Sequence, residues 1–377
     1  MPLDKNKNNT NGPLSGRLVI DVSQGIAGPY CAQMLASYGA RVIKIDPPSG
    51  DWCRAVGTTF GTLSYYAVAY NRGKEGIVLD LKQKEDLETL YELVSEADIF
   101  LESSRPGVAE KIGIDFETLK SKNSSLIYLS ISGFGQQGPY STRPCTDGVA
   151  QAYSGLVNGN VGEDGLPHKL DIPIVDIVTG LMACQSIGMA LLQRDRDGQA
   201  QYLDNNLVAS ALEVQKVKLI EQHLNGSVVA KLNVPSGIYA AKDANIAIAL
   251  ATYAHFQKLM DLLDANDVIA EMGLDSFEAC MREEEPLRTM LREILGAMPA
   301  EHWMSLLGGA GIIVNRINSL EDVLADEQAK EGGLLREVSH AGLSDFLLPQ
   351  LPLTIGDVGD APEKGQDTEA VLAELRG

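Results

Sequence analysis

The first third of the chain alternates between two hydrophobic periodicities, and this restricts the folds that it can adopt. Stretches with helical spacing, such as 30–38 before Gly39 and the charged stretch 83–96, separate short apolar runs rich in β-branched residues. These runs cover residues 17–22, 41–45, 77–81, 98–102 and 126–131. Strands that alternate with helices predict a parallel sheet covered on both faces. The chain is therefore predicted to have an α/β fold.

The pattern changes after Ser132, where a glycine-rich loop leads into longer helical stretches near 147–156, 173–193 and 205–225. Further along, a predicted hairpin at 236–250 precedes helices near 253–264, 287–298 and 300–308 and a strand at 311–315. The expected organisation is a disordered tail at 1–13, a large α/β domain at 14–205, a linker helix at 206–235, a small α+β domain at 236–327, and a C-terminal segment at 328–377 that returns to the large domain.

Charge disfavours two classes of partner. The chain has 31 Lys and Arg residues against 51 Asp and Glu residues, which gives a net charge of −20. Because so acidic a surface repels phosphate backbones and anionic lipids, neither nucleic acid nor a membrane is expected as a partner. The first twelve residues are rich in Asn and Lys and lack the apolar core of a signal peptide. We therefore expect a cytoplasmic protein.

Metal and nucleotide motifs are missing from the sequence. The five cysteines and five histidines are scattered, without C-x-x-C or H-E-x-x-H spacing, so neither a metal site nor a tightly bound cofactor is expected. The turn at 23–29 contains Gly25 and Gly28 but not G-x-G-x-x-G, and Pro29 removes a backbone N–H that a phosphate would use. These features disfavour an NAD-dependent dehydrogenase.

Several motifs do occur in a specific order and spacing. They are L-S-G-R-L-V-I-D-V at 14–22, A-G-P-Y at 27–30, G-A-R-V-I-K-I-D at 39–46, N-R-G-K at 71–74, R-P-G at 105–107, S-G-F-G-Q-Q-G-P at 132–139, then Asp147, and Asp176 with Thr179 and Gly180. Together they resemble class III CoA-transferases of the CaiB/BaiF type. The resemblance implies a Rossmann-like large domain, an interlocked homodimer, and transfer of CoA from an acyl-CoA thioester substrate to a small carboxylic acid.

The same resemblance assigns the nucleophile to Asp176. Its carboxylate would attack the thioester to form a mixed anhydride, and the released CoA would then form an aspartyl-CoA thioester. From the residues alone, Asp176 follows Pro173 at the start of a helix, where a capping or first-turn carboxylate is common. Asp171 is the nearest competing carboxylate.

The resemblance also implies the remaining site residues. The segments containing Ile26, Ala27, Gly133 and Gly135 would supply backbone N–H groups to anionic intermediates. Tyr66 and Asp147 would line the acyl side, although a core tyrosine and a helix cap are equally ordinary roles for them. The expected CoA contacts are Leu79, Lys82, Ser103, Ser104, Arg105, Lys111 and Arg143, with Lys74 and Arg54 as weaker candidates.

Two other functions use the same fold. An alpha-methylacyl-CoA racemase would need a histidine directly before Asp147, where this chain has Thr146, which cannot act as a base near neutral pH. The nearest histidine to that position is His168, in the loop before Asp176. A catalytically silent CoA-binding homologue is the other alternative, and the presence of Asp176 disfavours it.

Overall fold

The apolar runs of the first third form neighbouring strands of one parallel sheet. In this computed structural model, which describes residues 3–7, 12–162, 164–227, 233–353 and 356–377, the first strands are β1 (Leu18–Asp21), β2 (Arg41–Asp46), β3 (Thr59–Phe60), β4 (Leu63–Ser64), β5 (Glu75–Val78), β6 (Ile99–Glu102), β7 (Ile127–Ser132) and β8 (Gln201–Asn206). The main sheet has six strands in the order β5-β2-β1-β6-β7-β8, all paired in parallel. β3 and β4 form a short antiparallel hairpin.

The extent to which each strand is buried explains whether it could be predicted from the sequence. The four residues of β1 and the six of β2 are all buried, and such strands appear as continuous apolar runs. β8 has the sequence Q-Y-L-D-N-N and lies at the edge of the sheet, where it is only partly covered. It was not predicted because an edge strand needs no apolar run. The helix expected from residue 205 begins at Leu207 instead.

Helices cover both faces of the sheet, as predicted. They are α1 (Ala27–Ser37), α2 (Tyr65–Asn71), α3 (Lys84–Glu96), α4 (Val108–Ile112), α5 (Phe116–Lys122), α6 (Asp147–Tyr153), α7 (Ile174–Asp197) and α8 (Leu207–Glu213), with 3₁₀ segments at Trp52–Ala55 and Val157–Gly159. On one face, Val19 and Ile127 pack in a core with α1, α6, α7 and α8. On the other face, Ile20 and Tyr128 pack with α3 and α5.

Helix α7 has 24 residues and, in the described part of the chain, is the one helix long and apolar enough to cross a membrane. Here its residues Val175, Ala183 and Ile187 are buried in the core beside the sheet. A Cβ atom at Gly180 would lie 2.9 Å from the carbonyl oxygen of Ala27 and 2.9 Å from the Tyr30 ring. Glycine at this position therefore lets α7 approach the first turn of α1.

The chain divides into two compact units, Met1–Lys216 with Gly333–Gly377, and Val217–Gly332. After α9 (Lys216–Asn225), the second unit has a three-stranded antiparallel sheet of β9 (Gly237–Ala240), β10 (Asn245–Ala249) and β11 (Ile313–Arg316), in the order β11-β10-β9. Phe256, Leu291 and Trp303 are buried in its core. Its helices are α10 (Tyr253–Leu262), α11 (Asn266–Glu271), α12 (Phe277–Arg282), α13 (Glu284–Gly296), α14 (Ala300–Trp303), a π-helical segment (Met304–Gly308), α15 (Leu320–Ala325) and α16 (Glu327–Glu331).

The C-terminal segment belongs to the first unit. It contains the hairpin β12 (Leu335–Val338) and β13 (Phe346–Pro349), followed by α17 (Thr368–Arg376). Val371 of α17 is fully buried against the sheet, and Glu374 accepts hydrogen bonds from Arg41. These contacts supply the docking site of the last helix.

Several expected boundaries differ from the structure, and the second unit runs from Val217 to Gly332 rather than over 236–327. Leu3 is 4% exposed, Lys5 Nζ lies 2.8 Å from Asp98, and Lys7 Nζ lies 2.6 Å from Glu75, so residues 3–7 are packed rather than disordered. The first unit extends to Lys216 because α8, which was assigned to the linker, buries Ala211 in the core. The expected tail residues 1–2 and 8–11 and the linker residues 228–232 lie outside the described residues.

Candidate active site

Several predicted site residues lie at the edge of the sheet where β1, β5, β6 and β7 end, which we call the carboxyl edge. Parallel strands end at the same edge, and ligands of open α/β sheets bind outside it. Residues follow these strands in chain order: Ile26 and Ala27 after β1, Leu79 and Lys82 after β5, Ser103, Ser104 and Arg105 after β6, and Gly133 and Gly135 after β7.

Asp176 lies in the first turn of α7, but it is not the residue that caps this helix. The Asp147 carboxylate, at the start of α6, accepts hydrogen bonds from the N–H groups of Val175 at 2.7 Å and Asp176 at 3.1 Å. The other oxygen of Asp147 accepts a hydrogen bond from Gln151 at 2.5 Å. Asp147 therefore satisfies the exposed donors of α7 and holds the backbone of Asp176 in place.

The Asp176 side chain has no such role. In the described part of the chain its carboxylate accepts no hydrogen bond from another side chain or backbone N–H group. Burial, together with the negative charge of Asp147, raises the pKa of Asp176 to about 7. A partly buried carboxylate without a bonding partner, near half ionised at neutral pH, is typical of a reactive group.

An aromatic group lies beside Asp176. The Tyr30 and Tyr70 ring centroids are 5.5 Å apart, and those of Tyr66 and Tyr70 are 6.1 Å apart. Burial raises the pKa of Tyr70 to about 12, and the charge of Asp176 contributes to this increase. The predicted acyl-side residue Tyr66 is thus part of an aromatic cluster whose member Tyr70 is affected by the charge of Asp176.

The expected backbone donors differ in whether their N–H groups already have an acceptor within the protein. Ile26 and Ala27 are buried at the N-terminus of α1, and among the described residues their N–H groups have no hydrogen-bond acceptor. Gly133 has no space for a side chain, because a Cβ atom there would lie 2.2 Å from Cys145. Gly135 is different: its N–H group already donates to Ser132 Oγ at 3.0 Å. Gly135 is therefore not a free donor in this structure.

The expected CoA contacts also divide into two groups. Lys82, Arg105 and Lys111 are exposed cations near the carboxyl edge, and Arg143 is exposed with its guanidinium 3.6 Å from the Tyr140 ring centroid. The other three contacts are occupied within the protein: the Leu79 side chain is buried, Ser103 Oγ accepts the N–H of Gln24 at 2.9 Å, and the N–H of Ser104 donates to Glu102 at 2.6 Å.

The weaker candidates Lys74 and Arg54 do not face a ligand. Lys74 is fully buried and its ammonium group lies 2.9 Å from Asp21. Arg54 pairs with Asp46 at 2.8 Å and donates to the carbonyl oxygen of Pro362. Their charges are balanced inside the protein. The sequence gives one indication of this arrangement, because Asp21 and Lys44 are charged residues inside two of the apolar runs.

The structure gives no support to a metal or histidine-based site at this edge. Within the described ranges, no group of three His, Cys, Asp or Glu side chains is arranged to hold a metal ion. Thr146 is the N-cap of α6, and His168 lies 2.9 Å from Asp164 in an exposed loop. Both candidate positions for a racemase histidine therefore lack a free imidazole beside Asp147.

A parallel sheet with a partly buried aspartate near its carboxyl edge is typical of an α/β enzyme. Comparison with known proteins identifies the family. Residues 14–368 match the family model of CoA-transferase family III, and the chain belongs to this family.

Curated relatives and solved structures agree with this assignment. The chain is 30% identical to acetyl-CoA:oxalate CoA-transferase of Acetobacter aceti, over 94% of this chain and 92% of the relative. It is 29% identical to succinyl-CoA:glutarate CoA-transferase of Mus musculus, over 96% and 86%. A CAIB/BAIF family protein from Brucella suis superposes with a TM-score of 0.84 at 29% identity, covering 97% of this chain and 100% of that one. An aspartate-to-alanine mutant of Rv3272 from Mycobacterium tuberculosis has a TM-score of 0.86 at 27% identity, covering 96% and 99%.

Proposed function

We propose that this protein transfers CoA from an acyl-CoA thioester to a small carboxylic acid, with Asp176 as the nucleophile. The observation that carries the proposal is the division of roles between two aspartates. Asp147 holds the start of α7, and among the described residues the Asp176 carboxylate accepts no hydrogen bond. The names of the curated relatives, which are CoA-transferases acting on oxalate, glutarate and L-malate, support the same reaction class.

The reaction would proceed through covalent intermediates. A carboxylate oxygen of Asp176 attacks the thioester carbonyl carbon, the C–S bond breaks, and CoA leaves as a thiolate, which gives a mixed anhydride. The thiolate then attacks the aspartyl carbonyl carbon and releases the donor acid, which leaves an aspartyl-CoA thioester. The acceptor carboxylate repeats these two steps in reverse order, takes the CoA and restores Asp176. Dividing the transfer in this way lowers each barrier.

Each acyl transfer passes through an anionic tetrahedral intermediate that needs hydrogen-bond donors. The N–H groups of Ile26 and Ala27 fit this role because they have no protein acceptor among the described residues and lie at the positive end of the α1 dipole. The close approach at Gly180 supports their placement, because Asp176 is one helical turn before it on the same side of α7. Gly133 is a further proposed donor.

We propose that the nucleotide end of CoA binds over the exposed cations Lys82, Arg105, Lys111 and Arg143, with Leu79, Ser103 and Ser104 shaping the surface between them. A chain of net charge −20 attracts phosphates only through a local group of cations. CoA acts here as part of the substrate rather than as a resident cofactor. We also propose an interlocked homodimer, supported by exposed apolar side chains on α7, among them Leu181, Met189 and Leu192.

Replacement of the nucleophile tests the proposed reaction. Asp176→Asn keeps the size of the side chain but removes the nucleophilic oxygen, so turnover of acyl-CoA with an acceptor acid should fall by several orders of magnitude, about 10⁴-fold or more. Asp171→Asn is the matched control, because Asp171 is a nearby aspartate whose side chain is 93% exposed. Near-native turnover by Asp176→Asn would exclude the proposed mechanism. If Asp171→Asn also lost turnover, the loss in Asp176→Asn could not be assigned to removal of the nucleophile.

A further inference from the structure

A group of buried charges lies directly beneath the turn at 23–28, which precedes α1 and carries the proposed N–H donors. The Lys44, Lys74 and Asp21 side chains are 0% exposed, as is that of Asp51. Burying charges is costly, and apolar residues of similar volume often give equal or better stability. The charges also balance, since the group consists of Lys44, Lys74, Arg54, Asp21, Asp46 and Asp51.

The contacts of this buried group converge on the turn itself. The N–H of Ser23 donates to Asp21 at 3.0 Å, and the N–H of Gly25 donates to Asp51 at 2.9 Å. Between them, the N–H of Gln24 donates to Ser103 Oγ. Three consecutive N–H groups of the turn are thus bound by side chains, one from the preceding strand and two from distant parts of the chain.

The two buried lysines, Lys44 and Lys74, bind backbone carbonyl oxygens in or beside the turn. Lys44 donates to the carbonyl oxygen of Ser23 and lies 3.3 Å from the second oxygen of Asp51. Lys74 lies 2.9 Å from Asp21 and donates to the carbonyl oxygen of Pro29, the residue that follows the turn. Burial lowers the pKa of Lys44, but the carboxylates around it outweigh burial and raise the pKa above its usual value, so this lysine stays charged.

The next two N–H groups along the chain are those of Ile26 and Ala27, which are not bound by any of these side chains. With Ser23, Gln24, Gly25 and, directly after the turn, Pro29 held in place, these two groups have fixed positions and no acceptor among the described residues. We propose that Lys44, Lys74, Asp21 and Asp51 are positioning residues for the transferase reaction, which fix the turn at 23–28 so that its free N–H groups meet the oxyanion. This inference rests on the proposed function.

Lys44→Met is the variant that tests the proposal, because methionine has a similar length but neither charge nor hydrogen-bond donor. Arg41→Met is the matched control: Arg41 lies on the same strand, β2, is also a fully buried cation, and pairs with Glu75 and Glu374 at the opposite end of the strand. Both variants lose a buried ion pair, but only Lys44→Met disturbs the turn.

Lys44→Met is expected to lower kcat, whereas Arg41→Met is expected to lower stability without lowering kcat. For Lys44→Met, kcat should fall by about ten- to a hundredfold, with the KM for acyl-CoA within about threefold, as expected when an oxyanion donor is displaced. Arg41→Met should lose thermal stability but keep kcat within about twofold when the folded enzyme is assayed. If Lys44→Met does not fold, Asp51→Ala, which removes the acceptor for the N–H groups of Gly25 and Cys53 and the partner of Lys44, should show the same loss of kcat.

The outcomes separate this inference from the proposed function. If Asp176→Asn is inactive and folded Lys44→Met, or folded Asp51→Ala in its place, keeps the wild-type kcat, the positioning role is wrong while the transferase mechanism stands. An equal loss of kcat in Arg41→Met would also overturn the positioning role, because any buried ion pair would then suffice. If Asp176→Asn retains turnover, the proposed function itself fails.

Discussion

Replacing Asp176 by asparagine should make the folded protein more stable at neutral pH although it abolishes transfer. Burial and the charge of Asp147 raise the pKa of Asp176 from 3.8 to about 7. Since the folded-state pKa is the higher one, the stability linked to this carboxyl proton is fully present below about pH 4 and is lost as the pH rises through 7. A difference of about 3 pKa units corresponds to about 4 kcal/mol, which is the upper limit of the effect.

Asparagine does not ionise, so the variant should not lose this stability as the pH rises. Urea unfolding of the wild type, Asp176→Asn and Asp171→Asn at about pH 4 and pH 8 provides the assay. The free energy of unfolding of Asp176→Asn, minus that of the wild type, should be larger at about pH 8 than at about pH 4. The same difference for Asp171→Asn should not change between the two pH values. A difference between Asp176→Asn and the wild type that is independent of pH would refute the argument.

Three further outcomes follow from the same geometry. In Asp147→Asn, kcat/KM should rise at a lower pH than in the wild type, because the variant lacks one of the two causes that raise the pKa of Asp176. A pH profile identical to that of the wild type would contradict this. Arg105→Glu and Lys111→Glu should weaken CoA binding by about tenfold or more in calorimetry, unlike Arg196→Glu in the last turn of α7; unchanged affinity in both would remove the proposed nucleotide contacts. Light scattering at micromolar concentration should show a dimer, and a monodisperse monomer would contradict the proposed assembly.

The sequence predicted the features that rest on hydrophobic periodicity and on motifs. The buried strands β1, β2 and β7 appeared as apolar runs because both of their faces are covered. The assignment of Asp176 as the nucleophile came from the family motif and stays a proposal, which the raised pKa of this carboxylate supports. β8 was missed because a partly exposed edge strand carries polar residues without penalty.

The buried charges could not be predicted for a different reason. Lys74 was a weaker candidate for CoA binding because the nucleotide of CoA needs positive charge on this acidic chain. Its partner Asp21 is 53 positions away, and only the parallel pairing of the strands brings the two together. The same applies to Ser103, whose hydroxyl group binds Gln24 across 79 positions. Motif order places a residue near a site, but the contacts within the fold decide whether it faces the ligand.

The most direct test of the account is to identify the covalent intermediate on Asp176. The wild-type protein is incubated with acyl-CoA, trapped with hydroxylamine and digested, and the peptide that contains Asp176 is analysed by mass spectrometry. The proposed mechanism predicts a hydroxamate at Asp176, formed from the anhydride or the aspartyl-CoA thioester, and its absence in Asp176→Asn. Full turnover in the wild type with no modification of this peptide would contradict the central claim.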